Sequence, residues 1–106
     1  MMLFGSKVRQ LDGGKSIMEF KPDKFKHLCN EISDLYARKN ADYGDSFGIS
    51  IKKYGPIAGL TRISDKFNRL ENLMLNKNQR VNDESIKDTL LDLASYALML
   101  AMEMEE

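Results

Sequence analysis

The segment from Asp83 to Met102 combines helical periodicity with an almost continuous apolar surface. From Leu90 onward nearly every side of the predicted helix is apolar. Asp92 interrupts this apolar surface, and Asp88 lies one helical turn before it. Burying ionised carboxylates is costly unless cations or hydrogen bonds offset the loss of solvation. We therefore expect these aspartates to face a cationic partner, and we expect the surplus apolar surface to be buried against another subunit.

A second segment supplies candidate cations. Between Leu60 and Leu70 the charged residues recur at intervals of three and four, which places them along one face of a helix; they are Arg62, Asp65, Lys66 and Arg69. The pattern predicts a charged wall opposite the C-terminal helix.

Apolar periodicity predicts an all-α chain, a bundle of three to four helices that is oligomeric through its C-terminal helix. The first helix begins at Lys21, and its apolar set is Phe25, Leu28, Ile32 and Leu35. The second runs from about Ile57 to Asn76, and its predicted buried stripe is Leu60, Ile63, Phe67, Leu70 and Met74. Asn82 or Asp83 is expected to cap the final helix.

Residues 1–21 are predicted to be extended, because two short runs flank the turn sequence Asp12-Gly13-Gly14-Lys15 in the manner of a β-hairpin. Residues 22–106 form the predicted helical domain.

The helical pattern breaks between Lys39 and Gly59, where glycines and a proline punctuate a predicted connection. Long connections in compact domains are often functional. Tyr43 and Phe47 either stack on a ligand base or plug the end of the helical core. Gly44 after Tyr43 predicts a turn with positive φ.

Composition excludes several classes of function. Sixteen Lys and Arg balance sixteen Asp and Glu in 106 residues, so no overall positive field favours duplex nucleic acid. Cys29 is the only cysteine, which suits a reducing compartment, and we interpret it as a small packed residue. We see no export signal or membrane span and expect a cytoplasmic protein.

Two chemical interpretations fit the charged residues. Asp88 and Asp92 stand ~5–6 Å apart on one helix face, and with Asp65 they could hold Mg²⁺. The cations beside them would then hold the phosphates of a nucleotide; these cations are Arg62, Lys66 and Arg69. Alternatively, Arg62 and Arg69 pair with Asp88 and Asp92 only to hold two helices in register.

Three ordered blocks resemble the phage and prophage family called nucleotide modification associated domain, type one. They are Lys39-Asn40-Ala41-Asp42-Tyr43-Gly44-Asp45-Ser46-Phe47, Arg62-Ile63-Ser64-Asp65-Lys66-Phe67-Asn68-Arg69-Leu70 and Val81 to Ala97. The resemblance covers roughly residues 22–102. It implies nucleotide chemistry in an infected or lysogenic bacterial host, with Lys39 and Asn40 among the ligand-binding residues.

More remotely, the chain is similar to the all-helical MazG and dimeric dUTPase group of nucleoside triphosphate pyrophosphohydrolases. That group binds Mg²⁺ through E-x-x-E on one helix and E-x-x-D on the next. Here the first motif is replaced by Asp65-Lys66 followed by Arg69, and the second by Asp88-x-x-x-Asp92. These departures favour nucleotide binding over hydrolysis.

Three hypotheses follow. In the first, an oligomer sequesters a nucleotide or a nucleotide-derived immune signal. In the second, the chain is a Mg²⁺-dependent pyrophosphohydrolase of noncanonical or modified deoxynucleotides. In the third, it is a helical scaffold whose charged face is an ion-pair network.

Overall fold

The computed structural model describes residues 20–76 and 83–105 and forms four helices there, with no strand among these residues. They are α1 (Lys21–Tyr43), α2 (Ser46–Tyr54), α3 (Ile57–Leu75) and α4 (Asp83–Glu103). The all-α prediction is thus confirmed for the described residues. The predicted hairpin lies outside them.

The chain divides into two compact units, residues 1–37 and 38–106. In the first unit, the described part of α1 has no buried residue. Phe25, predicted to face a core, is 72% exposed, and Cys29 is exposed as well. The interpretation of Cys29 as a packed residue is therefore wrong, because its side chain is exposed to solvent.

The second unit corrects the predicted connection between Lys39 and Gly59. This stretch contains the last turn of α1 and all of α2. The Asp45 side chain caps α2 by accepting a hydrogen bond of 3.1 Å from the Gly48 backbone amide, which satisfies a donor that a helix start leaves unpaired. Gly44 has a φ of 71°, as predicted, and therefore turns the chain between α1 and α2.

Helices α3 and α4 pack as an antiparallel pair. Gly59 near the start of α3 lies against Leu100 near the end of α4, and Lys66 further along α3 contacts Asp92 earlier on α4. Seven residues forward along α3 thus correspond to eight residues backward along α4. These two contacts define the direction and the register of the pair.

The face of α3 that packs is rotated from the one predicted. Apart from Ala58, the positions of α3 that are not exposed follow a spacing of four and three residues, which is typical of a helix seam; they are Gly59, Ile63, Lys66, Leu70 and Leu73. The predicted stripe shared Ile63 and Leu70 with this seam but also included three exposed side chains, Leu60, Phe67 and Met74. The difference arises because the seam contains a glycine and a lysine, which give no apolar signal.

Helix α2 covers one end of the α3–α4 pair. Its Phe47 ring lies 5.9 Å from the ring of Tyr96 on α4, centroid to centroid, at a tilt of 33°. Ile51 of α2 is buried. An ideal Cβ on Gly59 would stand 2.8 Å from Leu100 Cδ1 and 3.2 Å from Phe47 Cζ, so three helices meet at Gly59 and a side chain there would force Leu100 to shift.

Within the described residues, none of the helices is long and apolar enough to cross a membrane.

We predict that Gly59→Val lowers the free energy of unfolding by about 1–3 kcal/mol, because the added side chain overpacks the contact with Leu100 and Phe47. Ser64→Val is the matched control, since it places the same β-branched residue on an exposed position of the same helix. Urea unfolding followed by circular dichroism measures both. Equal stability of the two variants would contradict the close packing at Gly59.

Candidate functional site

The centre of the candidate site is an ion pair across the α3–α4 seam. Lys66 Nζ lies 3.2 Å from Asp92 Oδ2, and the two side chains are 30% and 35% exposed. Both groups are therefore half-buried, and each keeps an open side toward water. A pair with this exposure contributes little to stability, about 0.2–1 kcal/mol.

Two more cations flank Lys66 on α3. Arg62 and Arg69 lie four residues before and three residues after it, so all three point to the same side of the helix. Both arginines are exposed, and neither forms an ion pair within the part of the chain that the structure describes. Two guanidinium groups thus remain available to an anion.

Helix α4 contributes its acidic residues to the same side. Asp88 precedes Asp92 by one turn and is exposed. Because Lys66 and Asp92 touch, the flank of α3 with the two arginines and the flank of α4 with Asp88 lie on one edge of the helix pair. We call this edge the charged edge; its residues are Arg62, Lys66, Arg69, Asp88 and Asp92.

The predicted metal ligands are not gathered into one group. Among the described residues, no three His, Cys, Asp or Glu side chains stand close enough to hold a metal ion. Asp65 is exposed on α3. Asp92 pairs with the Lys66 ammonium through its Oδ2 atom. Binding of Mg²⁺ by Asp65, Asp88 and Asp92 stays a prediction.

The remaining predicted ligand-binding residues lie near the turn between α1 and α2. Lys39, Asn40 and Tyr43 are exposed in the last turns of α1, and the Asn40 carbonyl accepts a hydrogen bond of 2.9 Å from Gly44. Phe47 packs against Tyr96 and close to Gly59. The Tyr43 ring is therefore exposed, whereas the Phe47 ring is packed as expected for a residue that covers the end of the helical core. Base stacking by either ring stays a prediction.

Sequence reasoning named Lys66 and Asp92 without predicting that they pair. It offered Arg62 and Arg69 as partners of the aspartates. The sequence feature that could have identified this pair is the spacing of seam residues on both helices. Lys66 follows the seam residue Ile63 by three positions, and Asp92 follows the buried Thr89 by three.

Thr89 was also missed. It is only 3% exposed, and its hydroxyl donates to the Ser85 carbonyl at 2.9 Å, so the seam accommodates a polar residue without an unpaired donor.

Comparison with known proteins supports the family assignment made from the sequence. A search of curated proteins and a search of solved structures find no match, so the remote likeness to pyrophosphohydrolases stays a prediction. The model of the family described as nucleotide modification associated domain 1 matches residues 39–104, which include α2, α3, α4 and the whole charged edge. The chain belongs to the nucleotide modification associated domain 1 family.

Proposed function

We propose that this protein binds a nucleotide, or a nucleotide-derived immune signal of a bacterial host, and sequesters it intact. The observation that carries the proposal is the half-buried Lys66–Asp92 pair between two arginines that have no ion partner within the described residues. The family assignment supports a nucleotide-related role.

The charged edge has the chemistry that phosphate binding requires. Guanidinium groups bind phosphate oxygens through two parallel hydrogen bonds, and an ammonium adds a compact positive charge. Arg62, Lys66 and Arg69 span about two helical turns, roughly 10 Å, which matches the length of a di- or triphosphate chain better than a single phosphate.

The acidic residues of the edge serve a different part of the ligand. Carboxylates repel phosphates, but they accept hydrogen bonds from hydroxyl groups. Asp88 is exposed and forms no ion pair within the described residues, and it would accept such a bond from a ribose. Tyr43 and Phe47 are the proposed stacking residues for the base, with Lys39 and Asn40 beside them.

Hydrolysis of a noncanonical or modified deoxynucleotide is the second candidate. The exposed Asp88 carboxylate one turn from Asp92 favours it, because two carboxylates at this spacing can share Mg²⁺ or its waters. Asp65, Asp88 and Asp92 would hold the metal, which would supply an activated water for cleavage of a phosphoanhydride bond, and Lys66 and Arg69 would stabilise the charge that develops on the phosphate oxygens.

One experiment separates the candidates. The purified full chain is incubated with Mg²⁺ and a panel of nucleoside triphosphates, cyclic nucleotides and ADP-ribose derivatives. Chromatography then follows the free ligand before and after heat denaturation of the protein. We expect one ligand to disappear and to return intact after denaturation. A monophosphate together with pyrophosphate would instead establish hydrolysis, and an unchanged panel would favour a scaffold.

Replacing either flanking arginine should weaken binding. We predict that Arg62→Gln and Arg69→Gln each raise the Kd of the captured ligand by about tenfold or more, because each removes a charge-assisted hydrogen bond to phosphate. Lys52→Gln on α2 is the matched control, since it removes one positive charge from an exposed position away from the edge. Isothermal titration calorimetry measures the three variants. Equal weakening by Lys52→Gln would point to a general charge effect.

Asp92→Asn distinguishes all three hypotheses. In a sequestering protein it should lower the Kd by about two- to fivefold, because Lys66 loses its competing carboxylate and becomes available to phosphate. In a hydrolase it should abolish turnover and leave affinity nearly unchanged. In a scaffold it should affect stability alone.

The control for this prediction is Glu71→Gln, which likewise replaces an exposed carboxylate by its amide, at a position of α3 outside the charged edge. Its effect on phosphate affinity should be smaller than that of Asp92→Asn. Ligand titration and product chromatography are performed on the same samples. A raised Kd for Asp92→Asn would contradict the proposed competition.

A further inference from the structure

The face of α4 that points away from α3 is apolar and exposed. Between Asp92 and Glu103 the chain has no charged residue. On the outward side, Leu98 is 56% exposed and Met102 is 52% exposed, and the alanines beside them are exposed as well. Contiguous exposed apolar surface of this kind marks an interaction site.

The outward residues form a regular stripe. Their spacing alternates between four and three residues, as in a coiled-coil seam, and they are Lys87, Leu91, Ala94, Leu98, Ala101 and Glu105. All are exposed except Leu91, which is half-buried. Glu105 follows the end of α4, where hydrogen bonds from Met104 and Glu105 continue the final turn.

Two copies of the stripe are complementary in size and charge when the helices that carry them run antiparallel. In an antiparallel pair of α4 helices centred near Tyr96, Leu98 of each copy meets Ala94 of the other, and Leu91 meets Ala101. Each large side chain thus faces a small one. At both ends the Lys87 ammonium meets the Glu105 carboxylate.

A parallel pair lacks this complementarity. Each residue would then face its own counterpart, so leucine would meet leucine, and Lys87 and Glu105 would each face a like charge. Like charges in register are destabilising. The charge pattern of the stripe therefore selects the antiparallel arrangement.

From this geometry we infer that the outward face of α4 binds α4 of a second copy of the chain. The two helices would be antiparallel, and the two-fold axis would cross α4 at the level of Tyr96, on the side of the helix opposite α3. A two-fold axis requires one surface to match itself, as this stripe does. The charged edge lies on the side of α4 toward α3, so the dimer leaves two such edges open. The inference does not depend on nucleotide binding.

Leucine-to-glutamate substitutions at two equally exposed positions test the interface. Leu98→Glu places a charge near the two-fold axis in both copies, and it should raise the dimer Kd by about 100-fold or more. Leu60→Glu on α3 is the matched control, since Leu60 is 52% exposed and Leu98 is 56% exposed. Leu60→Glu should leave the dimer intact.

Sedimentation equilibrium of the full chain gives the oligomeric state, and circular dichroism confirms that each variant keeps its helices. A wild-type chain that sediments as a monomer would overturn the inference. A Leu98→Glu variant that remains dimeric, or a Leu60→Glu variant that dissociates equally, would also overturn it.

Charge reversal tests the direction of pairing. Glu105→Lys should raise the dimer Kd by roughly three- to tenfold, because two lysines then face each other at each end. The double variant Lys87→Glu/Glu105→Lys should bring the Kd back toward the wild-type value, and Lys87→Glu alone is measured beside it because Lys87 also interacts within its own chain. Glu71→Lys, an exposed position on α3, is the control for the added charge. No effect of Glu105→Lys, or no restoration in the double variant, would overturn the antiparallel arrangement.

Discussion

The close approach of α3 and α4 is the interaction on which the second unit depends. Gly59 allows it, since a side chain there would collide with Leu100 and Phe47. Seven residues along α3, Lys66 meets Asp92 in the same seam. A half-buried ion pair adds little stability, but it favours the observed register, because a shift of one helix along the other would separate Lys66 from Asp92. The glycine thus permits the close approach of the helices, and the ion pair favours their alignment.

This alignment gives the helix pair two different surfaces. The charged edge collects three cations of α3 and two carboxylates of α4 on one side of the seam. The outward face of α4 carries the apolar stripe through Ala94 and Leu98. Because the two surfaces use different sides of α4, an anionic ligand and a second copy could bind at the same time. A chain of 106 residues can therefore combine a ligand site with an interface without further elements.

The sequence predicted the parts of the fold that have strong periodic signals. The limits of α3 and the start of α1 followed from apolar spacing, and Gly44 correctly predicted a turn with positive φ. Helix α2 was missed because it is short and contains Gly48. Its start depends on a local hydrogen bond that the Asp45 carboxylate accepts from the Gly48 amide. The seam of α3 was misplaced because Gly59 and Lys66 carry no apolar signal, so the more apolar stripe through Phe67 was favoured. For the site, residue spacing identified the charged face, but pairing of Lys66 with Asp92 depends on the register of two helices, which spacing on one helix cannot give.

The surplus of cations on the charged edge distinguishes a ligand site from an ion pair that only aligns α3 and α4. Alignment of the two helices involves the Lys66–Asp92 pair and requires no further cation. Arg62 and Arg69 add positive charge on the same side, yet neither forms an ion pair within the described residues. Phosphate bound between them would compete with Asp92 for Lys66, and this exchange would loosen one contact of the seam while the packing of Gly59 against Leu100 holds the helices together. The same lysine can therefore align the helices in the free protein and bind the ligand in the complex, which is consistent with its half-buried position.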